Sequence, residues 1–177
     1  MTTQTAATNM ANHTCETLLK HLSASYGLFA RHTVEGLYSI LARQARQSSE
    51  GVVFCRLPAD ANTLTADETF NSLAQSLFSN TNLQIVNCQH TDVAELQHLG
   101  LLLVLTPEVS GVIFWTTRNE PGYRQLESGW FFNPPDVLQA AKTLCEHTGI
   151  ALTLPDSAPP VSLKQRDSLL SELLQQY

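Results

Sequence analysis

Two apolar runs separated by a tight turn constrain this chain more than any other feature. LLLVL at 101–105 and GVIFWTT at 111–117 stand either side of TPEVS, whose Thr106 and Pro107 break the first run. Both are of strand length, and no apolar stretch of the chain reaches the roughly 18 residues that suggest a membrane span. The pair predicts an antiparallel hairpin and argues against membrane insertion.

The segments around it supply the rest of an α/β fold. Leu18, Leu19 and Leu22 predict a short amphipathic helix stopping near Gly27, after which the chain turns. Thr33, Glu35 and Gly36 open a second helix whose Val34, Leu37, Tyr38, Leu41 and Ala45 share one face, with Gly51 placed to supply a left-handed cap and start the next strand. GVVFCRL at 51–57 has the β-branched and aromatic content of a buried strand, stopped by Pro58.

Thr65, Ala66, Asp67 and Glu68 cap a helix carrying Phe70, Leu73, Ala74, Leu77 and Phe78, and Leu83, Ile85 and Val86 mark a strand after it. That interval is the length of a β-α-β unit with parallel strands. A short helix at 91–98, a strand at 124–132, and a helix from Asn133 to Gly149 with an Asx cap follow, and Leu152 to Leu154 are a candidate edge strand.

The expected architecture is one α/β (α+β) domain at 15–154, with a mixed central sheet of about five strands flanked by helices, after a flexible N-terminus at 1–14. PDSAPP begins a stiff linker at 155–161, and a terminal amphipathic helix at 162–177 repeats Leu163, Leu170 and Tyr177 every seven residues with Leu173 and Leu174 between. Those five residues are the candidate interaction surface, with a homodimer as the expected assembly. Two heptads are too short to hold a coiled coil alone.

Charge and composition narrow the function. With 177 residues, a hydrophobic fraction of 43%, a charged fraction of 15% and a formal charge of −6, the chain has a globular composition and no basic cluster for a phosphate backbone. A nucleic-acid partner is therefore not expected. The N-terminal run has no secretory-signal pattern, and Cys15, Cys55, Cys88 and Cys145 form no CxxC pair, so buried thiols in a reducing cytoplasm are expected.

None of the common nucleophile, metalloprotease or phosphate-loop motifs occurs, and no catalytic or metal-binding residue is assigned. Cys88 and His90 share a face if that segment is a strand, whereas Cys145 and His147 point apart on a helix. The histidines fall mainly near helix ends and loops, as solvated imidazoles do. The aromatic-rich region around Tyr123, Trp130, Phe131 and Phe132 contains one candidate small-molecule or chromophore pocket, built from Trp115, Arg118 and Trp130, its cofactor unknown.

Residues 101–146 resemble the C-terminal half of the DICT family, the sensory domain named for its occurrence with diguanylate cyclases and two-component systems. The correspondence runs through the strand at 101–105, the turn at Pro107 and Glu108, the strand at 111–118, the aromatic segment 130–132 and the helix start at Asn133, Pro134, Pro135 and Asp136. Two features depart from the family pattern: Asn133 replaces the usual acid, and Asn119 separates Arg118 from Glu120. No ligand is carried over to those positions.

The resemblance implies a non-catalytic sensory input domain of a two-component histidine kinase or cyclic-di-GMP system, placed before an output signalling domain and sometimes proposed to respond to light. The terminal helix would relay the signal. Two alternatives stand beside it: a ligand-free protein–protein interaction adaptor, and a small-molecule enzyme using Arg118 or His90.

Overall fold

The computed structural model describes residues 15–56, 68–87, 99–116, 125–160, 171, 172 and 175. In chain order these residues form α1 (Cys15–Leu22), β1 (Gly27–Ala30), α2 (Arg31–Arg46), β2 (Gly51–Arg56), α3 (Glu68–Leu77), β3 (Leu83–Asn87), β4 (Leu99–Leu105), β5 (Ser110–Thr116), β6 (Gln125–Phe131) and α4 (Pro134–Thr148). The strands make one six-stranded sheet in the order β1-β6-β5-β4-β2-β3. Only β2 and β3 run parallel, joined through α3 as a β-α-β unit, and the other neighbours are antiparallel. The expected mixed α/β architecture is present, with one strand more than the sequence suggested.

The predicted hairpin is the middle of this sheet. Leu101 pairs with Phe114 and Leu103 with Val112, and the turn closes through Thr106 N–H donating to Val109 O at 2.9 Å. Both strands are apolar without interruption because they are covered on both faces. Leu101, Leu103, Val112 and Phe114 face Cys15 and Leu19 of α1 and Val137, Ala141 and Leu144 of α4. Leu102, Val104, Ile113 and Trp115 face Val34, Tyr38 and Leu41 of α2 and Phe70 of α3. The helices α1 and α4 thus cover the first face of the sheet, and α2 and α3 the second. Each fully buried side chain of this size contributes about 1.5–3 kcal/mol.

Four local expectations need correction. GLFA at 27–30 is a strand, β1, and α2 begins at Arg31. Four residues are too few to display a period, and this strand is defined by what lies beside it: Phe29 pairs with Leu126 and its ring packs 4.4 Å from that of Trp130. Leu152 to Leu154 form no strand, although Leu152 and Leu154 pack against the core of the first face.

Asn133 does not cap α4 with its side chain; the amide donates instead to Asp136 Oδ2 at 2.9 Å. Gly51 is not the cap of α2, which ends at Arg46 with Gln47 in right-handed geometry. It has a φ of +143° for another reason: a Cβ there would stand 2.5 Å from Leu105 O on the neighbouring strand. The expected helix at 91–98 and the cap at 65–67 lie outside the described residues. Gly149 ends α4 in left-handed geometry, φ 68°.

Gly100 is opposite Trp115, and the indole lies across it where a Cβ would overlap its ring atoms. Gly100→Ala is expected to lower unfolding free energy by about 2–4 kcal/mol through overpacking. Gly149→Ala, with no atom within 4 Å of the added carbon, carries only the left-handed backbone penalty of about 1 kcal/mol. Urea denaturation of the two variants checks the order.

Candidate functional site

The residues singled out in the sequence are distributed over the second face and beyond it. Trp115 is 1% exposed, stacked on Phe70 with ring centroids 4.4 Å apart and met edge-on by Tyr38 at 5.6 Å. Trp130, opposite Ile113 on β6, is half-buried against Phe29 and shares that face. The space beside Trp115 is thus occupied by protein rings. Arg118, Cys88, His90 and the terminal Leu163, Leu170, Leu173, Leu174 and Tyr177 lie outside the described residues. Cys145 packs on the first-face core, while His147 is exposed with Nδ1 2.9 Å from Thr143 O.

A polar group among these rings escaped the sequence reading. Arg31 Nε donates to Glu35 Oε1 at 2.7 Å and its guanidinium lies 5.7 Å from the centre of the Phe70 ring. One turn on, the Tyr38 hydroxyl is buried with no hydrogen-bond partner. Burial, reinforced by Cys55, holds its pKa far above the ordinary phenol value, and burial pushes the Cys55 thiol up to about 11. Both groups therefore stay protonated at neutral pH, which suits packing and disfavours nucleophilic chemistry. On the first face, Arg56 is 2% exposed at the end of β2. Among the described residues no three His, Cys, Asp or Glu side chains gather to hold a metal.

A concavity lined by described residues lies at the opposite end of the sheet. There β2 and β3 begin, β4 ends and β5 begins, and the strands leave a cleft of about 410 Å³. Val52, Leu105 and Leu154 give it an apolar wall; Glu50, Asn82, Gln84, Thr106, Thr153 and Ser157 give it polar groups, and Pro107, Pro155 and Pro159 shape its edge. This volume is within the range of small-molecule sites, about 300–1,000 Å³.

One wall is the β2–β3–β4 end of the sheet, and the other is the segment 153–159 that follows α4. Leu152, Leu154 and Ala158 anchor that segment to the first-face core. The sequence signals for this site were the Gly and Pro punctuation at Gly51, Pro107, Pro155 and Pro159. Nothing in their spacing shows that these distant residues converge.

Two hydrogen-bonded links brace the cleft from behind. Ser48 Oγ lies 3.0 Å from Thr106 Oγ1, whose hydroxyl also donates to Val109 O, and Asn80 Nδ2 donates to Arg46 O and Ser48 O at 3.0 and 2.9 Å. Glu108 accepts hydrogen bonds from the hydroxyl and N–H of Ser49. Partial desolvation pushes its carboxyl up, but the hydrogen bonds from Ser49, its own backbone N–H and Thr106 together outweigh this and leave it below the usual value. Among the described residues no helix is long and apolar enough to cross a membrane. Searched against known proteins, the chain matches no family model, no curated protein and no solved structure.

Two outcomes follow from these environments. Tyr38→Phe removes a buried hydroxyl that has no partner and is expected to raise unfolding free energy by about 1 kcal/mol, whereas Tyr38→Ala lowers it by about 3–5 kcal/mol through the cavity left behind; denaturant titration reads both. The folded Glu108 carboxyl is depressed, so its link to Ser49 adds stability above the unfolded carboxylate pKa and loses it as pH falls through the folded value. An NMR titration should show the Glu108 carboxyl moving upward in Ser49→Ala.

Proposed function

We propose that this chain is a non-catalytic sensory or regulatory input domain, in which residues 152–159 carry a change at the cleft to the segment after them. The supporting observation is the double use of that segment. Leu154 is at once a wall of the cleft and a side chain packed on the core, with Leu152 and Ala158 holding the two sides of it.

A molecule entering the cleft contacts the segment directly and changes the free energy of its docked position. That differential contact is what a population shift requires. Further along the chain Glu172 lies beside α2, its Oε2 3.5 Å from Arg43 Nη1. This exposed pair is worth little energy, about 0–1 kcal/mol.

The partner proposed for this relay is an output signalling domain of kinase or cyclase type, in keeping with the resemblance of residues 101–146 to DICT sensory domains. Self-association through Leu163, Leu170, Leu173, Leu174 and Tyr177 is proposed to carry the signal as a change of dimer geometry. The acidic balance of the chain, −6 overall, supports a protein or small-molecule partner over nucleic acid.

Light scattering on the full chain and on a version ending at residue 160 tests the relay. A dimer that becomes a monomer on truncation is expected; identical monomers in both would overturn it. Leu154→Ala in the full chain should loosen the segment and weaken the dimer without unfolding the sheet, as circular dichroism would show.

A further inference from the structure

The cleft has a chemical character that selects among ligands. Glu50 is the one ionisable side chain among its described lining residues, and no Lys, Arg or His contributes to the wall. Two more carboxylates stand close by in the chain: Asp156, between the lining residues Pro155 and Ser157, and Glu108, next to Pro107. Of the arginines of α2, Arg31 is paired with Glu35 and Arg43 with Glu172. A phosphate, carboxylate or nucleotide entering here would meet the Glu50 carboxylate with no cation among the described lining residues to offset it.

The uncharged groups add a second requirement. Among the described residues, the side chains of Asn82, Gln84, Thr153 and Ser157 are exposed and make no hydrogen bond, which leaves amide and hydroxyl groups, donors and acceptors alike, available beside the acceptor-only carboxylate of Glu50 around the opening. Thr106 is different, because its hydroxyl is already used within the turn. Val52, Leu105 and Leu154 offer hydrocarbon between these oxygens and the core. A matching ligand has several donors on one positive centre and an apolar body.

We propose that the cleft binds a small protonated amine, its ammonium group directed to Glu50 and the free side-chain oxygens and its hydrocarbon laid over Val52, Leu105 and Leu154. This rests on the cleft being the input site, and it names the chemistry of the input. Selectivity comes from charge, because an exposed carboxylate attracts an ammonium modestly while an anion finds no counter-charge. Affinity comes mainly from the covered hydrocarbon.

Three probes of one shape separate these contributions: cyclohexylamine, cyclohexanol and cyclohexanecarboxylate, each titrated at low salt into the isotope-labelled full chain and followed by amide NMR shifts. Saturable shifts at Gly51, Gln84 and Ser157 are expected with the amine, weaker ones with the alcohol and none with the carboxylate. Glu50→Gln should weaken the amine about 5-fold while leaving the alcohol unchanged, and high salt should do the same to the wild-type chain.

The proposal is overturned if no probe shifts these amides, if the alcohol or the carboxylate binds as tightly as the amine, or if Glu50→Gln leaves the amine unaffected. Hydrogen exchange in the same samples distinguishes the relay from the ligand. Saturable amine binding that leaves the protection of residues 152–159 unchanged would remove the relay and keep the amine site.

Discussion

Everything in this molecule depends on covering β2, β4 and β5 on both faces. An antiparallel sheet ordinarily leaves one face to water, but Val52 to Cys55, Leu101 to Leu105 and Val112 to Trp115 send alternate side chains into two separate cores. One core requires α1 and α4, the other α2 and α3. Helices are committed to both sides of the sheet over these strands. The concavity is found instead at an end of the sheet, where strands start and stop and a non-helical segment supplies the second wall.

The positions of the titratable groups follow from the same constraint. Tyr38 and Cys55 lie in the second core, where their surroundings hold both protonated, and Trp115 is fixed between Phe70, Tyr38 and Gly100. These are groups that in an open pocket would bind or react. Here they fill space. Polar side chains free to meet a solute, Asn82, Gln84, Thr153 and Ser157, stand at the sheet end.

How much of this was legible in the sequence differed by the range of the interaction. The hairpin, the β-α-β unit, the buried stripe of α2 and the helix running to Gly149 were legible because each is written within one or two neighbouring segments. Val34, Leu37, Tyr38, Leu41 and Ala45 are all buried as their spacing required. β1 was not legible, since GLFA becomes a strand only through pairing with β6, nearly the whole domain away. Asn133 misled because its side chain turns its NH2 to Asp136 Oδ2 instead of offering its oxygen to the first N–H groups of the helix. The cleft was invisible for the same reason as β1: Glu50, Gln84, Leu105 and Leu154 have no common period, and only the folded sheet brings them together.

The strand order also separates the sheet by how far the chain must travel to close each pairing. Leu105 meets Ser110 across a tight turn, whereas Gly27 meets Ser128 only after almost every other element has been threaded between them. Loop-closure entropy grows with that separation, so the central ribbon assembles against a small entropic barrier and the β1 border against a large one. β1 is also short and at the rim, bonded on one side alone, with Leu28 61% exposed. The border that is hardest to close is therefore also the one most exposed to fraying, and its opening would uncover the β6 backbone to any extended chain nearby.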